Sequence, residues 1–123
     1  MSVLALHHVS LLVANTGRAL DFYCGVLGLT VDESRPDLGY PGAWLVVGSQ
    51  QIHLLELPNP DPVAGRPAHG GRDRHTAMLV SDLQQIMQRL ESSNIDYTLS
   101  KSGRRALFCR DVDGNALELI ESK

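Results

Sequence analysis

Ile52-His53-Leu54-Leu55-Glu56 has an echo near the C-terminus, Leu117-Glu118-Leu119-Ile120-Glu121. Both are short apolar runs of strand length, interrupted at the same place by one polar residue, His53 in the first and Glu118 in the second. A second echo lies upstream, where His8-Val9-Ser10-Leu11-Leu12-Val13 is answered by His75-Thr76-Ala77-Met78-Leu79-Val80. His75 stands 67 residues after His8, and Glu118 stands 65 after His53. A chain that repeats itself with a potential metal ligand at each matching position implies two modules facing each other across one site.

Working outward from these strands, the two halves read alike. In the first strand His8, Ser10 and Leu12 share one face, and Val9, Leu11 and Val13 share the other, which is uniformly apolar and suited to packing on helices. Asn15 or Thr16 is placed to cap a helix whose apolar stripe is Ala19, Leu20, Phe22, Tyr23, Val26 and Leu27, with Gly28 ending it. Short strands follow at Leu29–Glu33, Ala43–Gly48 and Gln51–Leu57, the last two as a hairpin around Gly48-Ser49-Gln50. In the second half a helix starts at Ser81, with Gln84 completing a capping box, and runs on Leu83, Ile86, Met87 and Leu90 to Ser92-Ser93-Asn94. Asp96–Lys101 is a strand, and the final hairpin turns at Asp113-Gly114-Asn115, Asp-Gly being a strong turn signal. The order strand, helix, strand, strand, strand is given twice. Aligning the halves sets Ala43 against Ala106 and His53 against Glu118, with two extra residues in the second hairpin. The modules span about residues 5–57 and 75–121. The connector, 58–74, holds Pro58, Pro60, Pro62 and Pro67 and no hydrophobic period; a loop this long inside a compact domain is often functional.

Composition bounds the function. The 123 residues are 43% hydrophobic and 20% charged, as in an ordered globular domain. A formal net charge of −3 and the lack of any Lys/Arg-rich run give no nucleic-acid footprint. No apolar run is long enough to span a bilayer, so no membrane partner is expected. Met1 to His8 lack the pattern of a secretory leader. Cys24 and Cys109, in unlike contexts, read as reduced thiols of a cytoplasmic protein.

The whole chain resembles the vicinal oxygen chelate superfamily, which includes glyoxalase I, extradiol dioxygenases and the fosfomycin and bleomycin resistance proteins. The resemblance rests on His8 with Leu11 and Val13, on Ala19-Leu20-Asp21-Phe22-Tyr23 leading to Val26-Leu27-Gly28-Leu29, on His75, and on Asp111-Val112-Asp113-Gly114-Asn115-Ala116-Leu117-Glu118-Leu119. It implies an α+β fold of two tandem βαβββ modules, forming an open cup-shaped mixed sheet around a divalent metal (Zn, Ni, Co, Fe or Mn). It also implies His8, His53, His75 and Glu118 as the metal ligands, of which His8, His75 and Glu118 match the two-histidine, one-glutamate set of the dioxygenase and fosfomycin-resistance branches. The position of His53 is a ligand in glyoxalase I, where it is usually Glu or Gln.

The chemistry of these residue types agrees. Two imidazoles and a carboxylate on rigid strands hold a divalent metal and leave positions open for substrate. A bound metal polarises a substrate oxygen, and His53 or Glu118 can move a proton. Glu56 and Glu121 are out of phase with His53 and Glu118 and should face the other side. Arg72 and Arg74 could meet an anionic group, although a solvated loop is the plainer reading; Trp44 and Phe108 could line the substrate space, with core packing or a dimer contact accounting for Trp44 equally. His7 and His69 read as solvated residues. The resulting expectation is a metal-dependent enzyme of glyoxalase I (lactoylglutathione lyase) type, acting on a small molecule with vicinal oxygens and assembled as a homodimer. A small extradiol-type dioxygenase is one alternative, though the strand Ala106-Leu107-Phe108-Cys109 has no tyrosine where those enzymes carry an acid/base one. A ligand-sequestering binder of bleomycin-resistance type is another. The sequence does not distinguish a site within one chain from a site between two.

Overall fold

The structure is a computed structural model that describes residues 2–123; Met1, part of the stretch read above as lacking a leader, lies outside them. Module 1 consists of β1 (His8–Val13), α1 (Thr16–Tyr23), β2 (Thr30–Val31), β3 (Gly42–Val47) and β4 (Gln50–Glu56). Module 2 repeats it as β5 (His75–Val80), α2 (Leu83–Ser92), β6 (Tyr97–Leu99), β7 (Ala106–Arg110) and β8 (Ala116–Glu121). Each module forms a four-stranded mixed sheet, in the order β1-β4-β3-β2 and β5-β8-β7-β6, with the first and last strands parallel. The α+β fold of two tandem βαβββ modules is therefore present.

Strand alternation sorts the two faces of each sheet. Val9, Leu11, Val13, Leu45, Ile52 and Leu54 of the first sheet meet Met78, Leu107, Cys109, Leu117 and Leu119 of the second in one shared core under the helices. The opposite, open face carries His8, His53 and Trp44 on one sheet and His75, Glu118 and Phe108 on the other. Burial among apolar neighbours and the nearby Asp111 push the Cys109 thiol up to about 12, so it is inert packing.

Both helices are anchored in the same way. Asn15 accepts from Arg18 N–H and Asp82 from Gln85 N–H, so the second cap is Asp82 rather than Ser81 with Gln84. Glu56 then accepts from Thr16 N–H at 2.8 Å and Glu121 from Leu83 N–H at 2.9 Å. These glutamates do face away from His53 and Glu118, and each satisfies an orphan donor at the positive end of its module's helix. Helix α1 ends at Tyr23, a turn earlier than its apolar stripe suggests, and the chain reaches Gly28 at φ +79° through a looser turn.

The register corrects one alignment. Trp44 pairs with His53 and Phe108 with Glu118, so Trp44 corresponds to Phe108, while Ala43 and Ala106 fall on opposite faces. The second hairpin is one residue longer than the first, not two.

Among the described residues the two sheets share no ladder hydrogen bonds; polar contacts join them at one end of β1. Asn115 Nδ2 donates to the Leu12 carbonyl at 3.1 Å, and Ala14 N–H donates to Asp113 Oδ1 at 3.0 Å. Behind them Tyr23 donates its hydroxyl to the buried Asp111 at 2.7 Å. Burial raises the pKa of both groups, although Tyr23, Asn115 and two backbone N–H groups act in the opposite direction on Asp111. Tyr23→Phe removes one of the donors to a buried carboxylate and should destabilise the protein by about 1–3 kcal/mol, read as a lowered urea midpoint with an unchanged m-value.

Candidate metal centre

Asn115 immediately precedes Ala116, the partner of His75, and it contacts Leu12, near the end of β1. The end of β1 therefore meets the start of β5. His8 opens β1, four residues upstream of Leu12. The four expected ligands thus fall into two pairs. Among the described residues no three His, Cys, Asp or Glu side chains come together in a group that could hold a metal ion.

The first pair is an aromatic stack. His53 lies between His8, with ring centroids 3.9 Å apart, and Trp44, at 4.6 Å. His53 Nε2 is 2.8 Å from Gln51 Oε1, and Gln51 Nε2 donates to Asp32 at 2.8 Å. Burial, followed by His8, His7 and Arg35, holds the His53 pKa below the ordinary histidine value, so its imidazole is neutral at pH 7. His7 is not simply solvated, because its Nδ1 lies 2.8 Å from His8 Nδ1.

The second pair is His75 and Glu118. Glu118 is only 3% exposed although it points to the open face. His75 Nδ1 is 2.9 Å from the Asp73 carbonyl, which can only accept, so the proton is on Nδ1. That leaves Nε2, 3.3 Å from Glu118 Oε1, with a lone pair facing a carboxylate. A positive charge between them, such as a metal cation, reconciles these two acceptors. A histidine whose second nitrogen donates to a backbone carbonyl is also the usual support for a metal ligand. The donor chemistry of His75 and Glu118 therefore fits a divalent metal.

Arg104, which sequence reading missed, donates to Glu118 Oε2 at 3.2 Å and is 59% exposed. It lies in the turn before β7, where no periodicity marks it. Gln51 and Asp32 were missed as well; Gln51 could have been found as the residue two before His53, on the same strand face.

The connector is ordered. It contains a 3-10 turn at Gly70–Arg72 that lies on the second sheet. A Cβ on Gly70 would stand 3.3 Å from Cβ of Phe108 and 3.4 Å from that of Ala116, so the turn lies tightly against the sheet. His69, expected to be solvated, lies 2.6 Å by its Nδ1 from the Thr98 hydroxyl and sets its ring edge-on to Phe108. Phe108 also meets His75 edge-on, with centroids 5.0 Å apart. Arg72 is exposed, while Arg74 is engaged in an ion pair with Asp61. A cavity of about 300 Å³ opens at the joint, bordered by Ser10, Leu12, Arg66, Arg74, His75 and Asn115.

Asp73 pins this connector. It accepts from Arg66 Nε at 2.8 Å and Nη2 at 3.1 Å, and from Arg110 Nη1 at 2.8 Å. These hydrogen bonds hold its carboxyl well below the usual range.

Residues 5–119 match the family described as the Glyoxalase/Bleomycin resistance protein/Dioxygenase superfamily. The chain belongs to this superfamily. It is 30% identical over 120 residues to Glyoxylase I 4 of Arabidopsis thaliana, covering 94% of this chain and 69% of that protein. It is also 30% identical over 124 residues to the uncharacterized protein YaeR of Escherichia coli (strain K12), covering 94% of each. Among solved structures, a Bacillus anthracis protein assigned to the glyoxalase family superposes with a TM-score of 0.82 at 21% identity, covering 100% of this chain and 98% of that one. The fosfomycin resistance protein FosX of Listeria monocytogenes, an E126Q mutant complexed with Mn(II) and 1S,2S-dihydroxypropylphosphonic acid, superposes at 0.77 with 14% identity, covering 99% and 95%. These two structural likenesses concern the superfamily fold. No helix among the described residues is long and apolar enough to cross a membrane.

Because the folded-state pKa of Asp73 is depressed, its stabilising contribution is complete above the ordinary carboxylate range and is lost as pH falls through that range and below it. The urea midpoint of the wild type should therefore decline more steeply than that of Asp73→Asn between about pH 5 and pH 2.

Proposed function

We propose that the protein is a divalent-metal-dependent enzyme of glyoxalase I type, acting on a small substrate with vicinal oxygens, and that its site is completed by two chains. The observation that carries this reading is the His75–Glu118 pair: a lone pair and a buried carboxylate converge 3.3 Å apart with no proton to share in the neutral form. His75 and Glu118 of one chain would hold the metal together with His8 of a second. Bound there, the metal supplies Lewis-acid polarisation of the substrate oxygens. In a two-fold symmetric pair of chains each half-site would meet the complementary one of the partner, and both sites would be completed.

The residues around the pairs divide the remaining work. His53, neutral at pH 7, takes a proton from the substrate carbon beside the oxygens and returns it to the neighbouring atom. Trp44 and Phe108 border the two pairs and exclude water. Arg104, half-exposed beside Glu118, can orient an anionic substituent. The likeness to Glyoxylase I 4 supports this class of reaction. The dioxygenase alternative is less well supported, since the residue paired with Glu118 is Phe108, which has no proton to exchange.

Two measurements test the proposal. Elemental analysis after reconstitution should show metal in the wild type and its loss in His8→Ala, His75→Ala and Glu118→Ala. In His53→Ala the metal should be retained, while isomerisation of an α-ketoaldehyde hemithioacetal falls ~10²–10⁴-fold. Refolding His8→Ala together with Glu118→Ala should restore about a quarter of the wild-type metal, because half of randomly assorted dimers are mixed and each mixed dimer has one intact site. No restoration on mixing would place the site within one chain. Wild-type metal content in all three ligand variants would overturn the assignment.

A further inference from the structure

The surroundings of His53 include a feature that metal binding does not require. Gln51 lies between Asp32 and His53, 2.8 Å from each. A carboxylate can only accept, so Asp32 fixes which end of the Gln51 amide it meets: the NH₂ group donates to Asp32 and the carbonyl faces His53. Asp32 is itself held by Ser34, whose backbone N–H and hydroxyl both donate to it at 2.9 and 2.7 Å. The Gln51 carbonyl then requires a donor from His53 Nε2. The His53 plane is fixed by the rings of His8 and Trp44 stacked on either side. Its Nδ1 has no hydrogen-bond partner among the described residues.

We infer that Asp32 and Gln51 are positioning residues that hold His53 in the tautomer with its proton on Nε2, so that Nδ1 is the nitrogen His53 brings to the substrate. Which ring nitrogen is free is set by the hydrogen bond the other one makes. When Nδ1 accepts the substrate proton the ring becomes an imidazolium, Nε2–H stays on the Gln51 carbonyl, and the same proton leaves from Nδ1 when it is returned. No other group changes protonation. Asp32 acts through the amide by polarising its carbonyl toward the charge that forms. His75 is set the opposite way, with its proton on Nδ1 against the Asp73 carbonyl. The two modules thus anchor their paired histidines through opposite ring nitrogens. The inference rests on the reading of His53 as the proton-transferring group.

The test uses the whole ¹⁵N-labelled protein, free of metal, at a mildly alkaline pH where imidazoles are neutral. Long-range ¹H–¹⁵N correlation distinguishes a protonated from an unprotonated ring nitrogen, and His53→Ala identifies the His53 signals. The wild type should show a single His53 form, with Nε2 protonated and Nδ1 bare. Asp32→Asn lets the Gln51 amide turn over and Gln51→Leu removes the acceptor; in both a measurable Nδ1–H form of His53 should appear. The His75 signals serve as the internal control for folding and should not move. A wild-type His53 protonated on Nδ1, or relay variants with wild-type His53 signals, would overturn the inference. If the tautomer shifts as expected but His53→Ala keeps full turnover when metal-loaded, the relay stands and the use of Nδ1 on substrate is overturned. Because the tautomer is read without metal, failure of the metal assignment and failure of the relay are separate results.

Discussion

Asp111 is 5% exposed and accepts hydrogen bonds from four donors: the Tyr23 hydroxyl, the Asn115 amide, and the backbone N–H groups of Asp113 and Asn115. Tyr23 belongs to the helix of the first module, and the other donors to the turn that opens the last strand of the second. This one carboxylate therefore shapes the turn and ties it to the other half of the molecule. From the same turn Asn115 and Asp113 reach Leu12 and Ala14. The geometry of the joint between modules follows, and with it the places where each pair of polar residues emerges. An ionised group buried this deeply is tolerated only when its oxygens are satisfied, as they are here.

The joint explains why one chain carries two half-sites. It sets the end of β1, rather than its start at His8, beside the start of β5. Each half keeps its own support. In the first, an amide and a carboxylate direct the imidazole while two rings fix its plane. In the second, a backbone carbonyl directs the imidazole and an arginine meets the carboxylate. The connector belongs to this second support, since Asp73 both pins it through Arg66 and Arg110 and presents the carbonyl that orients His75. A loop that composition marks as structureless is thus the wall beside Glu118. What makes it so is two glycines flat against Phe108 and a bidentate ion pair, neither of which has a periodicity to detect.

The repeat was legible because its cause is local. Alternating polar and apolar residues fix which face of a strand is buried, and that pattern is written in His8-Val9-Ser10-Leu11 and in Leu117-Glu118-Leu119 regardless of the rest of the chain. The same parity correctly turned Glu56 and Glu121 away from His53 and Glu118, although their task of closing the helix N-termini needed the third dimension. The pairing of Ala43 with Ala106 failed because hairpin register depends on turn geometry: the Asp111-centred turn leaves five residues between its last paired positions where Gly48-Ser49 leaves two, and shorter strand arms reduce this to a net shift of one residue between Trp44–His53 and Phe108–Glu118. Arg104 and Asp32 left no trace in pattern, being single polar residues in polar loops.

The sequence by itself determined the two βαβββ modules, their order, the face each strand buries, and the four residues His8, His53, His75 and Glu118 on the open face. These depend on side-chain alternation and on turn and cap chemistry, which act over a few residues. Only the tertiary structure decided that His8 stacks on His53 while His75 meets Glu118. It also decided that His53 and His75 are held by different hydrogen-bond acceptors. Both outcomes depend on how one module packs against the other and on which acceptor lies within 3 Å of each ring nitrogen, and neither distance is encoded by spacing along the chain.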